Sequence, residues 1–216
     1  LLTSSKVQGD EVITLRASAY LSPLSHTVTS VFAPWIEDVE EASGGKIKFE
    51  TYWGGGLGRN PYKQFDLVKA GVSDVTVVQP SYTPGQFPQT QVLELPFLSR
   101  NATEASIVAW ELYERGLLKG YEDVKLIGLW TAEPGNLYTT KAIRNYGDIA
   151  GMKVRAAGRL EGDFVKRLNA VPESMHPADA VEALRRGTID GTIQGWVSVN
   201  TFQTYRHTNY VITSPL

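Results

Sequence analysis

Cysteine is absent from the 216-residue chain. Without a thiol there is no disulfide framework, no thiolate zinc site and no cysteine nucleophile, and the absence is compatible with a reducing or an oxidising compartment. Long apolar runs are missing too: no stretch approaches the roughly 20 residues that a membrane-spanning helix needs. Neither sign of charge is in large excess. The 21 Lys and Arg against 23 Asp and Glu give a net charge of −2, and the basic residues are scattered. That distribution excludes a nucleic-acid surface and a patch for anionic lipid. The opening "LLTSSKVQGDEV" has no initiator Met and neither the basic start nor the apolar stretch of a signal peptide, so the expectation is a processed or trimmed chain with its signal peptide removed.

Catalytic signatures are equally scarce. "GGGLGRN" (54–60) is glycine-rich, but no Gly-Lys-Ser/Thr follows, and Arg59 stands where a dinucleotide fingerprint needs glycine, so a turn exposing backbone is expected. His26, His176 and His207 are isolated, without the spacing of a metal site, and no metal or cofactor is expected. No Gly-x-Ser-x-Gly elbow occurs. The acidic pairs Asp38 with Glu41 and Glu37 with Glu40 fall on the polar side of a helical pattern, where a solvated face accounts for them.

What is present is an ordinary globular composition, 42% hydrophobic and 20% charged, in a chain long enough for one large domain or two small ones. "VITLRASA" (12–19) alternates with the period of a strand. Residues 27–43 carry a helical apolar face, in which Pro34 predicts a kink or the true helix start, and "SGGK" closes it. "KIKFETYW" (46–53) reads as a strand, and Asn60 with Pro61 as the cap and first position of a helix over 61–70. Further strands are expected over 74–79, 124–130, 137–143, 152–156, 189–194 and 209–213, and further helices over 103–118, 159–169, 177–186 and 197–205. The alternation of strand and helix predicts an α/β fold.

The segments "LRASAYLSPLSHTVTSVFAPWIEDVEEASGGKIKFETYWGGGLGR", "LVKAGVSDVTVV", "LELPFL", "GMKVRAAG" and "ALRRGTIDGTIQGW" resemble, in order and spacing, the solute-binding proteins of tripartite ATP-independent periplasmic (TRAP) transporters, dicarboxylate-binding type. The resemblance implies a two-lobed periplasmic binding protein fold (type II-like), with mixed sheets flanked by helices and a ligand cleft between lobes. It implies lobe I over 1–130, lobe II over 131–210 and the start of a crossing back to lobe I at 211–216. Relatives of this type continue past "NYVITSPL", so a C-terminal part is expected to be missing. The implied function is a periplasmic receptor, monomeric and not an enzyme, that closes about a hinge on a small carboxylate and delivers it to TRAP membrane permease subunits.

In that family the arginine of the "GMKVRAAG" position pairs with the substrate carboxylate, which implies that role for Arg155. A guanidinium at a strand end suits it, since its planar fork matches a carboxylate. Many relatives carry a ligand-contacting asparagine where this chain has Gln194, with Trp196 just beyond. The second arginine found in many dicarboxylate binders is replaced by "EPGN" (133–136), and "RNPYKQF" lacks a frequent glutamate. A second buried carboxylate without a cation would be costly, which favours a monocarboxylate, aromatic or 2-oxo/2-hydroxy. Tyr20, Trp53, Gln79, Tyr82 and Trp130 complete the candidate ligand residues. The alternatives are a ligand-sensing domain of a signalling receptor and a small α/β enzyme acting on an organic acid.

Overall fold

The computed structural model describes residues 12–213 apart from Pro84 and Phe97. The opening stretch 1–11 and residues 214–216 of the expected crossing lie outside the described residues. The chain divides into two compact units, Leu1–Val78 and Gln79–Leu216.

The first unit runs β1 (Ile13–Ser18), α1 (Ala33–Ala42), β2 (Ile47–Tyr52), α2 (Gln64–Lys69) and β3 (Val75–Thr76), with the strands parallel in the order β2-β1-β3. The central strand of a parallel sheet is covered on both faces. Accordingly Ala17, Ser18 and Ala19 are all buried, and Ser18 meets its need with hydrogen bonds to the hydroxyls of Ser73 and Thr76. Val28, Phe32 and Ile36 pack on Ala17 and Ala19. The helical pattern of 27–43 begins as a wide π-turn, Val28–Phe32, and becomes α-helical at Ala33, with Pro34 in the first turn where its missing N–H costs nothing. Glu40 is a correction to the expected solvated face. It accepts from Lys48 Nζ at 2.7 Å and from the Phe49 N–H at 2.8 Å, tying α1 to the backbone of β2.

The glycine run after β2 is a turn, as its composition predicts. Gly54 and Gly55 have φ of +66° and +81°, and their N–H groups donate to Leu21 O and Ala19 O at 2.8 and 2.9 Å. Asn60 caps the following helical turn by accepting from the Tyr62 N–H at 2.9 Å. The strand expected over 74–79 shrinks to Val75–Thr76.

The second unit begins with two short 3₁₀ turns, Pro80–Tyr82 and Thr90–Glu94. There follow α3 (Ala102–Glu114), β4 (Asn136–Thr139), β5 (Lys153–Ala156), α4 (Arg159–Arg167), β6 (Val171–Ser174), α5 (Pro177–Arg185), β7 (Gly191–Gln194), α6 (Trp196–Phe202) and β8 (Tyr210–Ile212). The sheet order is β6-β5-β7-β4-β8. β5 runs parallel to β6 and β7, and β4 antiparallel to β7 and β8. The sheet is mixed, as expected. The strand predicted over 124–130 is not formed: that stretch has no regular structure, and Ile127 and Trp130 are exposed. An apolar run alone does not make a strand, because its backbone needs a partner, and none pairs with it among the described residues.

Register divides this sheet into two unlike faces. Leu137 lies opposite Ile193, and with Val154 and Ala156 these side chains join Val165 of α4, Ile149 and Met152 in an apolar core. The alternate positions carry polar groups. Arg155 is opposite Thr192, Thr192 opposite Tyr138, and Gln194 opposite Asn136. All five are buried.

Candidate functional site

The polar face is built around Arg155, which is only 2% exposed. Its Nε donates to Met175 O at 2.8 Å, just past the end of β6, and its Nη1 to Ile193 O at 3.1 Å, near the end of β7. The guanidinium is thus stapled across the carboxyl ends of the two strands flanking its own, the edge where open α/β sheets hold ligands. Its Nη2 is buried and has no partner.

Three neighbours on the same face share that property. Gln194 donates from Nε2 to Ser198 Oγ at 3.2 Å and leaves Oε1 unpartnered; Thr192 Oγ1 and the Tyr138 hydroxyl are likewise buried without a partner. Each such group costs about 1–3 kcal/mol, so four on one face of one sheet mark a surface shaped for something other than packing. Burial pushes the Tyr138 phenol up to about 12, with help from the Glu133 carboxylate.

An aromatic and acidic surround completes the site. His176 caps α5: its Nδ1 accepts from the Ala178 N–H at 3.3 Å, which puts the proton of the neutral ring on Nε2. Burial, and then the Arg155 charge, hold His176 below its ordinary value, against an upward pull from Asp179. Tyr82 and Phe202 meet its ring edge-on at 5.9 and 5.3 Å. At the β5–α4 junction Gly158 has no side chain to cap the helix, and Glu161 of the first turn reaches back to accept from the N–H of Ala157, the residue before the cap. Burial raises the Glu161 carboxyl while Arg155 and that N–H lower it. Glu94 comes close to the same junction: a Cβ on Gly158 would sit 3.2 Å from Ser81 O and 3.8 Å from Glu94 Oε2. Burial, and then the Glu161 charge, push Glu94 up to about 7.

The structure brings together Arg155, Gln194, Tyr82 and Trp196 of the residues named from sequence. Trp196 opens α6, half exposed, and stands perpendicular to the Tyr138 ring at 5.5 Å. Glu133 caps that helix, accepting from the Val197 N–H at 2.5 Å beside Gly195. Gln79 is exposed and donates to Ser81 Oγ at 3.0 Å. Trp130 is 48% exposed, and no contact ties it to Arg155. Tyr20 and Trp53 belong to the other unit, where Trp53 packs on Phe32 at 5.2 Å between ring centroids. Sequence reasoning passed over Tyr138, Thr192, Glu94 and Glu161, and named His176 only as an isolated histidine without metal-site spacing. Only His176 was signalled, by the proline that follows a helix cap.

A mixed α/β sheet presenting a buried cation and spare hydrogen-bonding groups at its strand ends defines a binding domain rather than a structural one. The chain belongs to the bacterial extracellular solute-binding proteins, family 7 (DctP), whose profile matches residues 17–215. Its fold is the two-lobed fold of TRAP solute-binding proteins. It is similar to the TRAP solute-binding protein of Rhodoferax ferrireducens, solved with copurified benzoate, at 32% identity and a TM-score of 0.87 over 93% of this chain. It is similar to a marine metagenome TRAP protein solved with 3-hydroxybenzoate, at 28% identity and 0.87 over 93% of this chain and 63% of that one. A third, from Bordetella bronchiseptica with bound (R)- and (S)-mandelate, shares 30% identity at 0.82 over 92% of this chain and 64% of that one. The chain spans 62% of the Rhodoferax protein and about half, 54%, of a curated solute-binding protein of Verminephrobacter eiseniae that it matches at 25% identity.

Proposed function

We propose that this chain is the ligand-binding part of a periplasmic receptor that takes up a small aromatic monocarboxylate and passes it to TRAP permease subunits, without chemical conversion and as a monomer. The observation that carries the reading is Arg155, a buried cation held by two backbone carbonyls with Nη2 to spare. One cation balances one carboxylate; a second would be buried without compensation. Benzoate, 3-hydroxybenzoate and mandelate, the acids bound by the similar proteins, are aromatic monoacids, and the Tyr82, His176 and Phe202 rings suit such a ligand. Lobe I over 1–130, lobe II over 131–210, the return crossing from 211, and hinge closure bringing Tyr20, Trp53, Gln79 and Trp130 toward the acid belong to the same proposal. Contacts made only in the closed form would drive that closure.

Titration calorimetry tests it with benzoate, mandelate and succinate. Binding of an aromatic monoacid and not of succinate is expected. Arg155→Lys keeps the charge but loses the fork, and should weaken binding by roughly 10–100-fold, the worth of a charge-assisted hydrogen bond. If no acid binds, or if Arg155→Lys binds as well as the parent, the reading fails.

A further inference from the structure

The four unpartnered atoms of the polar face are not chemically alike. Nη2 of Arg155 can only donate. Oε1 of Gln194 can only accept, and the amide is oriented with Nε2 donating to Ser198 Oγ at 3.2 Å. The hydroxyls of Tyr138 and Thr192 can do either. A carboxylate offers acceptors alone. It can satisfy Nη2 and both hydroxyls, but it leaves Gln194 Oε1 buried and unmet.

The positions fit one ligand. Arg155, Thr192 and Tyr138 are consecutive register partners on β5, β7 and β4, so their Cα atoms step across the sheet at about 5 Å intervals. Gln194 lies two residues beyond Thr192 on the same face, and the Arg155 Nη1 bond to Ile193 O brings the guanidinium against the peptide that leads into Gln194. The carboxylate and a second polar group of one small acid can therefore reach Arg155 and Gln194 together.

We propose that Gln194, with Tyr138 and Thr192 beside it, reads a neutral hydrogen-bond donor on the acid, a hydroxyl, so that the preferred ligand is a hydroxylated aromatic monocarboxylate rather than the parent acid. An ammonium group would also donate, but would bury a second positive charge beside Arg155. The Tyr138 phenol, held neutral by burial, keeps its own proton available to complete the network. Sites built to hydrogen-bond a hydroxyl discriminate strongly against analogues lacking it, since their own polar groups are then left unpaired.

The inference rests on the proposed function, and one titration series separates the two. The full chain is titrated with benzoate and phenylacetate, with 2-, 3- and 4-hydroxybenzoate and mandelate, and with the O-methyl counterpart of each hydroxylated acid. At least one hydroxylated acid should bind about tenfold or more tighter than its own parent, benzoate or phenylacetate, and methylation of its oxygen should erase the gain. The hydroxyl-to-parent ratio, measured within each variant, should collapse toward unity in Gln194→Met and shrink in Tyr138→Phe. If a parent acid binds and no hydroxylated acid gains on its own parent, or the methyl ethers bind as tightly as the alcohols, the donor reading is wrong while the receptor reading stands. If no acid binds, both fall. The hydroxyl against methoxy comparison on the unaltered chain decides the matter even where a variant fails to fold.

Discussion

Glu94 carries a proton that an exposed glutamate would have lost. Its carboxyl lies near the β5–α4 junction, with Glu161 as the charge acting on it, and burial lifts it from an ordinary 4.5 to about 7. A group whose folded value exceeds its unfolded one stabilises the fold fully below the unfolded value, and that contribution drains away as pH rises through the folded value. Glu94 therefore costs the protein stability between about pH 4.5 and 7. His176, held below its ordinary value of 6.5, works in the opposite direction, its destabilising effect fading as pH rises through that value. Glu94→Gln, which cannot ionise, should flatten the fall in melting temperature between pH 5 and 8. Thermal unfolding of parent and variant across that range checks this, and parallel profiles would show that the proton sits elsewhere.

At the scale of elements, one close backbone approach in the second unit depends on a glycine. Gly120 has φ of +99°, and a Cβ there would fall 1.9 Å from the carbonyl oxygen of Gln86, whose side chain donates to Gly120 O at 2.7 Å. Gly120→Ala meets both a steric clash and an unfavourable backbone region, and should destabilise by on the order of 2–4 kcal/mol. Urea denaturation measures it; an unchanged midpoint would mean that the loop around Gln86 moves aside freely. Some elements were legible from sequence and some were not. β1 and β2 showed period-two alternation, and the Asn60 cap and the Pro34 helix start were spelled out by residues whose preferences are local. β6 escaped because its "VPES" contains a proline. The strand lies at the sheet edge, where a missing N–H is tolerated. Residues 124–130 misled in the opposite way, being largely apolar without a strand partner among the described residues. Arg155 could be read as a strand-end cation, whereas its company of Thr192, Tyr138 and Gln194 depends on cross-strand register, which is fixed by turns and packing far from each residue.

On the scale of the whole molecule, all the groups built around Arg155 come from the unit Gln79–Leu216. Ligand should therefore slow amide hydrogen exchange first at residues 153–158, 175–178 and 192–198. Closure by lobe I, as proposed, should add protection around Tyr20, the glycine run at 54–58, Gln79 and Trp130. Exchange mass spectrometry with and without the best-binding acid separates the two. Protection confined to 131–216 would leave closure unsupported, and none near Arg155 would remove it as the anchor.

The two-faced sheet of the second unit also constrains how this chain can have diverged. Because Val154 and Ala156 face an apolar core while Arg155 faces the opposite way, inserting or deleting one residue within β5 would turn the cation into the core and a hydrophobe into the site. The same holds for β4 and β7. Length differences among descendants of a common ancestor are therefore excluded from these three four-residue strands and confined to the loops between them. Any alignment of this chain that opens a gap inside residues 136–139, 153–156 or 191–194 has matched the wrong positions.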